Sequence, residues 1–503
     1  MGAGPDDTRS AGERTDGAAL PHALPSAERA EAILRDACIT YRDDSPMRRR
    51  RAQRLLDADP SLAAQNVYTA AVTANVSALR KAIAADPGCV SQPGGPNDWQ
   101  PLLYLCYGRL PKIDGDTLEA ARVLLDAGAD PNACLKIHGV YSFTALTGAM
   151  GEGEAGLENQ PPHPRARELA ELLLDRGADP NDSQGLYNTH FTPGNEWIEL
   201  MISHGLTTDD MPNWVPEEKQ TRSMLDWMLG VSVTWGFAER VALLLDHGAD
   251  PNGTNAYDDR PHYENALLFG RPEIAKLLLE RRATRIELSP ASAFRAACMA
   301  GDERAARAQL ERDSTLIDDP RMIHDTVKHG SDAAGLLIFE LGASLDAPGQ
   351  HYSETPLHRA AIEGRAAVVD KLLALGAHLD GRDTQFHGTP VGWANAGGHE
   401  AIRERILDRS EDVFDLATFG RVEQLRELLA KDGLQATRTS EGGATAMHML
   451  RVAGEPGAAV IDLLCDHGAD VNAPMEDGTT PLAAALARDE VVVAELLRAR
   501  GAV

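Results

Sequence analysis

Residues Thr355 to Asp380 read TPLHRAAIEGRAAVVDKLLALGAHLD, and this stretch decides the fold. It reads as two short helices back to back. Thr355 can cap the first, and Pro356 suits its first turn, where a missing N–H costs nothing. Leu357, Ala360, Ala361 and Ile362 give that helix a narrow apolar face, and Gly364 can take the left-handed conformation that ends it. In the second helix Val368, Val369, Leu372, Leu373 and Leu375 recur at helical spacing up to Gly376. The next Thr-Pro, Thr389-Pro390, lies 34 residues after the first. Neither helix pair could bury its apolar face alone, so the unit must stack on copies of itself.

The stretch resembles the ankyrin repeat family, whose pattern T-P-L-H-x-A-A, G-H, then V-x-x-L-L-x-x-G-A-D-x-N, is matched almost completely, by Thr355 to Ala361 and by Val369 to Ala377. The resemblance implies an all-α fold, an ankyrin-repeat α-solenoid of stacked helix-turn-helix units with projecting β-hairpins or loop tips. It also implies use as a binder of folded proteins.

A solenoid grows by addition, so 503 residues need not mean several globular domains. Hydrophobic content of 43% suffices for a continuous core, and the 5% aromatic content fits thin layers filled by Ala and Leu. A net charge of −27 argues against nucleic acid and against an anionic membrane surface, both of which want basic patches. No window approaches the roughly 18 apolar residues of a membrane span, and the N-terminus lacks the apolar core of a secretory signal. Six scattered cysteines without a C-x-x-C pair suit a reducing cytoplasm rather than a zinc site or a disulfide framework. Arginine outnumbers lysine 41 to 8, a bias that points to a GC-rich, bacterial genome.

Along the chain, residues 1–25 lack periodicity and read as a disordered tail. Residues 26–65 read as a helical N-terminal cap, in which Arg48 to Arg51 form either an anion-binding run or a solvated face. Residues 66–181 carry repeats with expanded loops, and in the first of these Asn75 takes the turn between helices. The terminator Gly-Ala-Asp-Pro-Asn recurs at Gly128–Asn132, Gly177–Asn181 and Gly248–Asn252, with Gly468–Asn472 a close variant. Each is a helix-ending glycine followed by a turn in which Asn can bond loop backbone. Such loops set Asp130, Asn132, Asp179, Asn181, Asp250 and Asn252 along one edge.

Residues 182–265 depart from the pattern. DSQGLYNTHFTPG replaces a first helix with an irregular aromatic stretch, and long connections surround it. Trp197, Trp214, Trp227 and Trp235, four of the six tryptophans, fall in this block. Trp197 and Trp227 sit among apolar helix neighbours and read as core. Trp214 stands in a polar loop, flanked by Pro212, Asn213 and Pro216 and by Asp209, Asp210, Glu217 and Glu218. It reads either as an interface anchor or as a lid over the missing helix. Long loops are uncommon in compact folds and tend to be functional or disordered; the aromatic content argues for the former. Residues 266–503 return to regular repeats, for a total of about thirteen.

No G-x-S-x-G, P-loop or H-E-x-x-H motif occurs, so neither catalysis nor a cofactor is expected. The resemblance assigns His358 and His448, at the T-x-x-H position, to bonds between neighbouring repeats. His204, His247 and His467 stand in last turns, where a cation complements the helix dipole. Asp and Asn a full repeat apart make a poor calcium site, so no metal is expected. These features point to a non-enzymatic scaffold, its acidic surface favouring a protein partner with a basic patch. Its candidate contacts are the six loop residues with Tyr187, His190, Trp214 and Tyr257. The alternative is a ligand pocket in 182–265 built from Tyr187, His190, Asp226, Asp258 and His262.

Overall fold

The computed structural model describes residues 25–137, 141–214, 222–350, 352–488 and 490–503. The tail up to residue 24, together with Pro216, Glu217 and Glu218, lies outside the described residues.

The central repeat forms as its residues dictate. Helices span Pro356–Ile362 and Ala366–Leu375. Thr355 and His358 make a reciprocal cap: Thr355 N–H donates to His358 Nδ1 at 3.1 Å, and Thr355 Oγ1 lies 2.8 Å from the same nitrogen. With Nδ1 accepting, Nε2 carries the proton and donates to the Gly388 carbonyl of the next repeat at 3.1 Å. His448 repeats this arrangement with Thr445 and the Thr479 carbonyl. Gly364 and Gly376 sit at φ +71° and +85°. A Cβ at Gly364 would also lie 2.6 Å from the His399 ring, so backbone strain and crowding both favour glycine at this turn.

The chain divides into two compact units, one comprising the described residues up to Ala266 with Glu273–Arg285, the other Leu267–Pro272 with Ile286–Val503. In the second, Pro356–Ile362 packs between the first helices Pro320–His329 and Pro390–Ala396 of its neighbours. Ala366–Leu375 packs likewise between the second helices Asp332–Glu340 and Glu400–Leu407. First helices therefore stack on first and second on second, and Leu357, Ala360, Val368, Val369 and Leu372 are fully buried between them. The same rule holds in the first unit, where Val67–Val72, Pro101–Tyr107 and Ala145–Met150 form one row. Val76–Ala85, Thr117–Asp126 and Ala166–Asp175 form the other.

Three local readings change. The turn before Val76–Ala85 is taken by Ala74 at φ +52°, while Asn75 caps the helix by accepting from Ala78 N–H. The first helix after Asn181 is shortened rather than lost: Ser183–Asn188 is helical and continues into a 3₁₀ turn, Thr189–Phe191. Asp182 explains it, accepting at its N-terminus from Gly185 N–H while Thr144 and Thr147 hydroxyls hold its carboxylate. Of the projecting loops, one is a regular hairpin among the described residues, pairing Cys134–Ile137 with Tyr141–Thr144 antiparallel.

Buried arginines complete the scaffold. Arg109 donates to the carbonyls of Cys106, Gly108, Gly148 and Pro161 at 2.6–2.9 Å. It thereby satisfies helix-end carbonyls and pins the 151–164 insertion. Burial pushes its pKa down to about 10, still well above neutrality, so it stays charged. Arg240 does the same for the aromatic block, donating to the carbonyls of Thr189, Thr192 and Gly194 and to Asn195 Oδ1.

Candidate interaction surface

The loop candidates are placed along a ladder of structural bonds. Asp130, Asp179 and Asp250 each accept from the backbone N–H two residues on, at 2.8–2.9 Å, closing the turn. Asn132 reaches the next repeat, donating from Nδ2 to the Gly177 carbonyl and accepting from Asp179 N–H. Asn252 does so with Arg282 and Thr284, and Asn181 donates to Met211. These side chains are exposed or half-exposed, yet their polar atoms tie one loop to the next.

The aromatic candidates instead converge. Met224–Trp235, whose N-cap Ser223 accepts from Asp226 N–H, presents Trp227 as the ring the others gather round. Tyr187 lies 5.8 Å from it, His190 5.9 Å, Trp214 5.4 Å and Tyr257 6.2 Å between ring centroids, all but the first of these pairs edge-to-face. Such pairs add about 0.5–1.5 kcal/mol each beyond their burial, so the cluster is self-supporting. Trp227 and Trp197 are core, as their apolar neighbours indicate. Trp214 is half-buried, edge-on to both Tyr187 and Trp227. Tyr257 is 50% exposed and Trp235, at the end of the same helix, 46% exposed.

Acidic groups border these rings. Tyr187 donates to Glu154 Oε1 at 2.7 Å, and burial together with that carboxylate pushes its pKa well above the ordinary phenol value. Tyr257 is raised for the same two reasons. Glu152, half-enclosed, is pushed up by burial despite accepting from Thr192 Oγ1. His190 is buried with Nδ1 against the Tyr187 carbonyl, and burial lowers its pKa, keeping it neutral.

Sequence reasoning missed Glu154, Trp235 and Arg240. Glu154 meets Tyr187 across an insertion, and no periodicity announces that meeting. Trp235 carried a signal, since it ends the run of the Trp227 helix beside Gly236.

The polar set of the pocket alternative is largely engaged elsewhere. Asp226 accepts from Ser223 Oγ and Asp250 N–H, and Asp258 from Arg260 N–H and Asn265 Nδ2. His262 is fully buried where Gly230 and Gly253 leave room for its ring, and burial lowers its pKa to about 4. No helix among the described residues is long and apolar enough to cross a membrane.

Residues 352–384 match the family model of the ankyrin repeat. Among solved structures, an ankyrin repeat domain from Acinetobacter baumannii AYE is similar, at 23% identity over 36% of this chain and 98% of that one, with a TM-score of 0.25. No curated protein matches the chain in sequence. The matched residues contain the Thr355–His358 cap and the Gly364 and Gly376 turns described above, so this segment of the chain is an ankyrin repeat.

Proposed function

We propose that this chain is a non-enzymatic protein-interaction scaffold, and that its contact surface is the aromatic cluster on the first unit. Ankyrin repeats generally mediate protein–protein interaction. The observation that carries the site is exposed Tyr257 and half-buried Trp214 set edge-on to Trp227, with exposed Trp235 joined to them through His190. Large rings held at fixed angles lose little entropy on binding, which is why Trp and Tyr dominate interface energetics. The repeats extend as a solenoid within each unit, and the cluster stands where the regular repeat gives way to longer loops.

The partner presents a basic segment. Glu154 borders the rings, and a net charge of −27 attracts cations from a distance. Lys or Arg side chains over exposed tryptophan faces gain further. The free thiols of all six cysteines suit a cytoplasmic setting.

Affinity capture with the full chain, repeated with a Trp235→Ser/Tyr257→Ser variant, tests this reading. A protein retained by the first and lost by the second, with affinity falling as salt rises, is the expected result. Equal retention by the unaltered chain and the variant places the contact elsewhere and overturns the assignment.

A further inference from the structure

A second feature of the first unit runs against the charge of the whole chain. Between the N-terminal helix pair, Ser26–Ala37 and Pro46–Ala58, and the strand Cys134–Ile137 lies a cleft of about 730 Å³. Five cations line it, Arg35, Arg42, Arg48, Arg51 and Lys136, against the three carboxylates Asp36, Asp43 and Asp98. In a chain of net charge −27 such a local excess is an exception. The volume falls in the range of small-molecule sites, about 300–1,000 Å³.

The cations divide by role. Asp36, itself buried, clamps Arg51 through two bonds of 2.6 and 2.8 Å and stands 3.6 Å from Arg48 Nε. Arg48 also donates to the Asp43 and Arg35 carbonyls, so this guanidinium is held in place from several sides. Nearby Asp44 accepts from the backbone of Thr40 and Tyr41 and also stands 3.7 Å from Arg48 Nη1, so Arg48 is paired twice over. Arg35 and Arg42 are exposed and make no ion pair among the described residues. Two clamped guanidinia thus form a floor while two unpaired ones remain for a ligand.

The wall has unused hydrogen-bonding capacity. Asn97 Nδ2 and Gln100 Oε1 are both buried without a partner. Burying such atoms unsatisfied costs about 1–3 kcal/mol each. Both residues line the cleft, and terminal amide torsions are soft. Asn97 then offers a donor to an anion, and Gln100 an acceptor for a hydroxyl. Trp99 and Leu103 supply an apolar backing.

We propose that this cleft binds a small, multiply anionic ligand bearing phosphate or carboxylate groups, with Arg35 and Arg42 as its principal contacts. Guanidinium forks match both groups in two-bond geometry, so the anion class is fixed before its source is.

The probes are inorganic pyrophosphate and citrate, titrated calorimetrically into the full chain. Cys134 gives a reading at the site itself: it lines the cleft and is exposed, so bound ligand should slow its alkylation by iodoacetamide, mapped by mass spectrometry. Binding of at least one probe is expected, weakening with added salt and protecting Cys134. Pyrophosphate alone would identify a phosphate ligand and citrate alone a polycarboxylate. Arg35→Ala/Arg42→Ala should reduce affinity at least tenfold with an unchanged melting curve, because neither side chain supports the fold. Absence of binding by both probes overturns the proposal, as does equal affinity in the double variant.

Discussion

The Tyr187 hydroxyl donates to Glu154 Oε1 at 2.7 Å, joining the insertion after Met150 to the short helix Ser183–Asn188. The bond brings a loop with no counterpart in the regular repeat against the aromatic cluster. Tyr187→Phe keeps the ring and removes the bond. It should cost about 1 kcal/mol or less, since the pair is solvent-exposed. Faster hydrogen exchange confined to residues 151–164 would show that the bond holds the loop; uniform exchange would show that Arg109 suffices.

Two glycines of the central repeat separate backbone strain from crowding. At Gly376 nothing lies within 4 Å of an added Cβ, so Gly376→Ala carries only the left-handed penalty, roughly 1–2 kcal/mol. At Gly364 the His399 ring stands 2.6 Å from that Cβ as well. Gly364→Ala should therefore lower the midpoint of denaturation by more than Gly376→Ala does. Equal midpoints would mean that the ring moves aside freely.

Acid should weaken the fold through its buried imidazoles. Burial lowers His358 to about 4 and His329 to about 3, against an ordinary value of 6.5. Between those values the unfolded chain binds protons that the folded chain refuses, so stability falls as pH drops from 6.5 toward 4. Denaturant midpoints should decline across that window. The His358 ring signal should stay that of the neutral form down to about pH 5.

Asp415 acts with the opposite sign. Burial, and then neighbouring Asp412, push its pKa up to about 7 from 3.8, while Thr389 Oγ1 donates to it at 2.6 Å. The folded chain retains a proton that the unfolded chain releases. The group's contribution is full below pH 4 and is lost as pH rises through 7. Asp415→Asn keeps an acceptor for Thr389 and removes the ionisation. Its melting temperature should exceed that of the natural chain at pH 8, with the difference vanishing near pH 4. A difference that does not vary with pH would assign the effect to packing.

What could be read from residues alone was what lies within one repeat. The Thr355–His358 cap, the glycine stops and the apolar faces involve neighbours three or four positions apart, and local spacing states them. The Asn terminators were legible as turn residues, but not as staples, because Asn132 finds its partner at Gly177. The helix Ser183–Asn188 escaped notice because its six residues carry little periodicity and its cap, Asp182, is held by Thr144 and Thr147. Trp197 and Trp227 announced their burial through apolar helix neighbours. Trp235 looked much the same, yet it stands at the end of its helix and faces water. Arg240 was unreadable, since its partners are carbonyls and every residue has one.

Pro101–Tyr107, Ala145–Met150 and Ala166–Asp175 pack in order although a hairpin and the 151–164 insertion separate them in sequence. Lengthening a loop costs only a slowly growing entropy once its ends are fixed by the stack. Scaffold and loop can therefore change at different tempos over descent. A lineage can try successive loop sequences on an unaltered chassis, and an engineer can graft a foreign segment at residues 151–164 on the same terms.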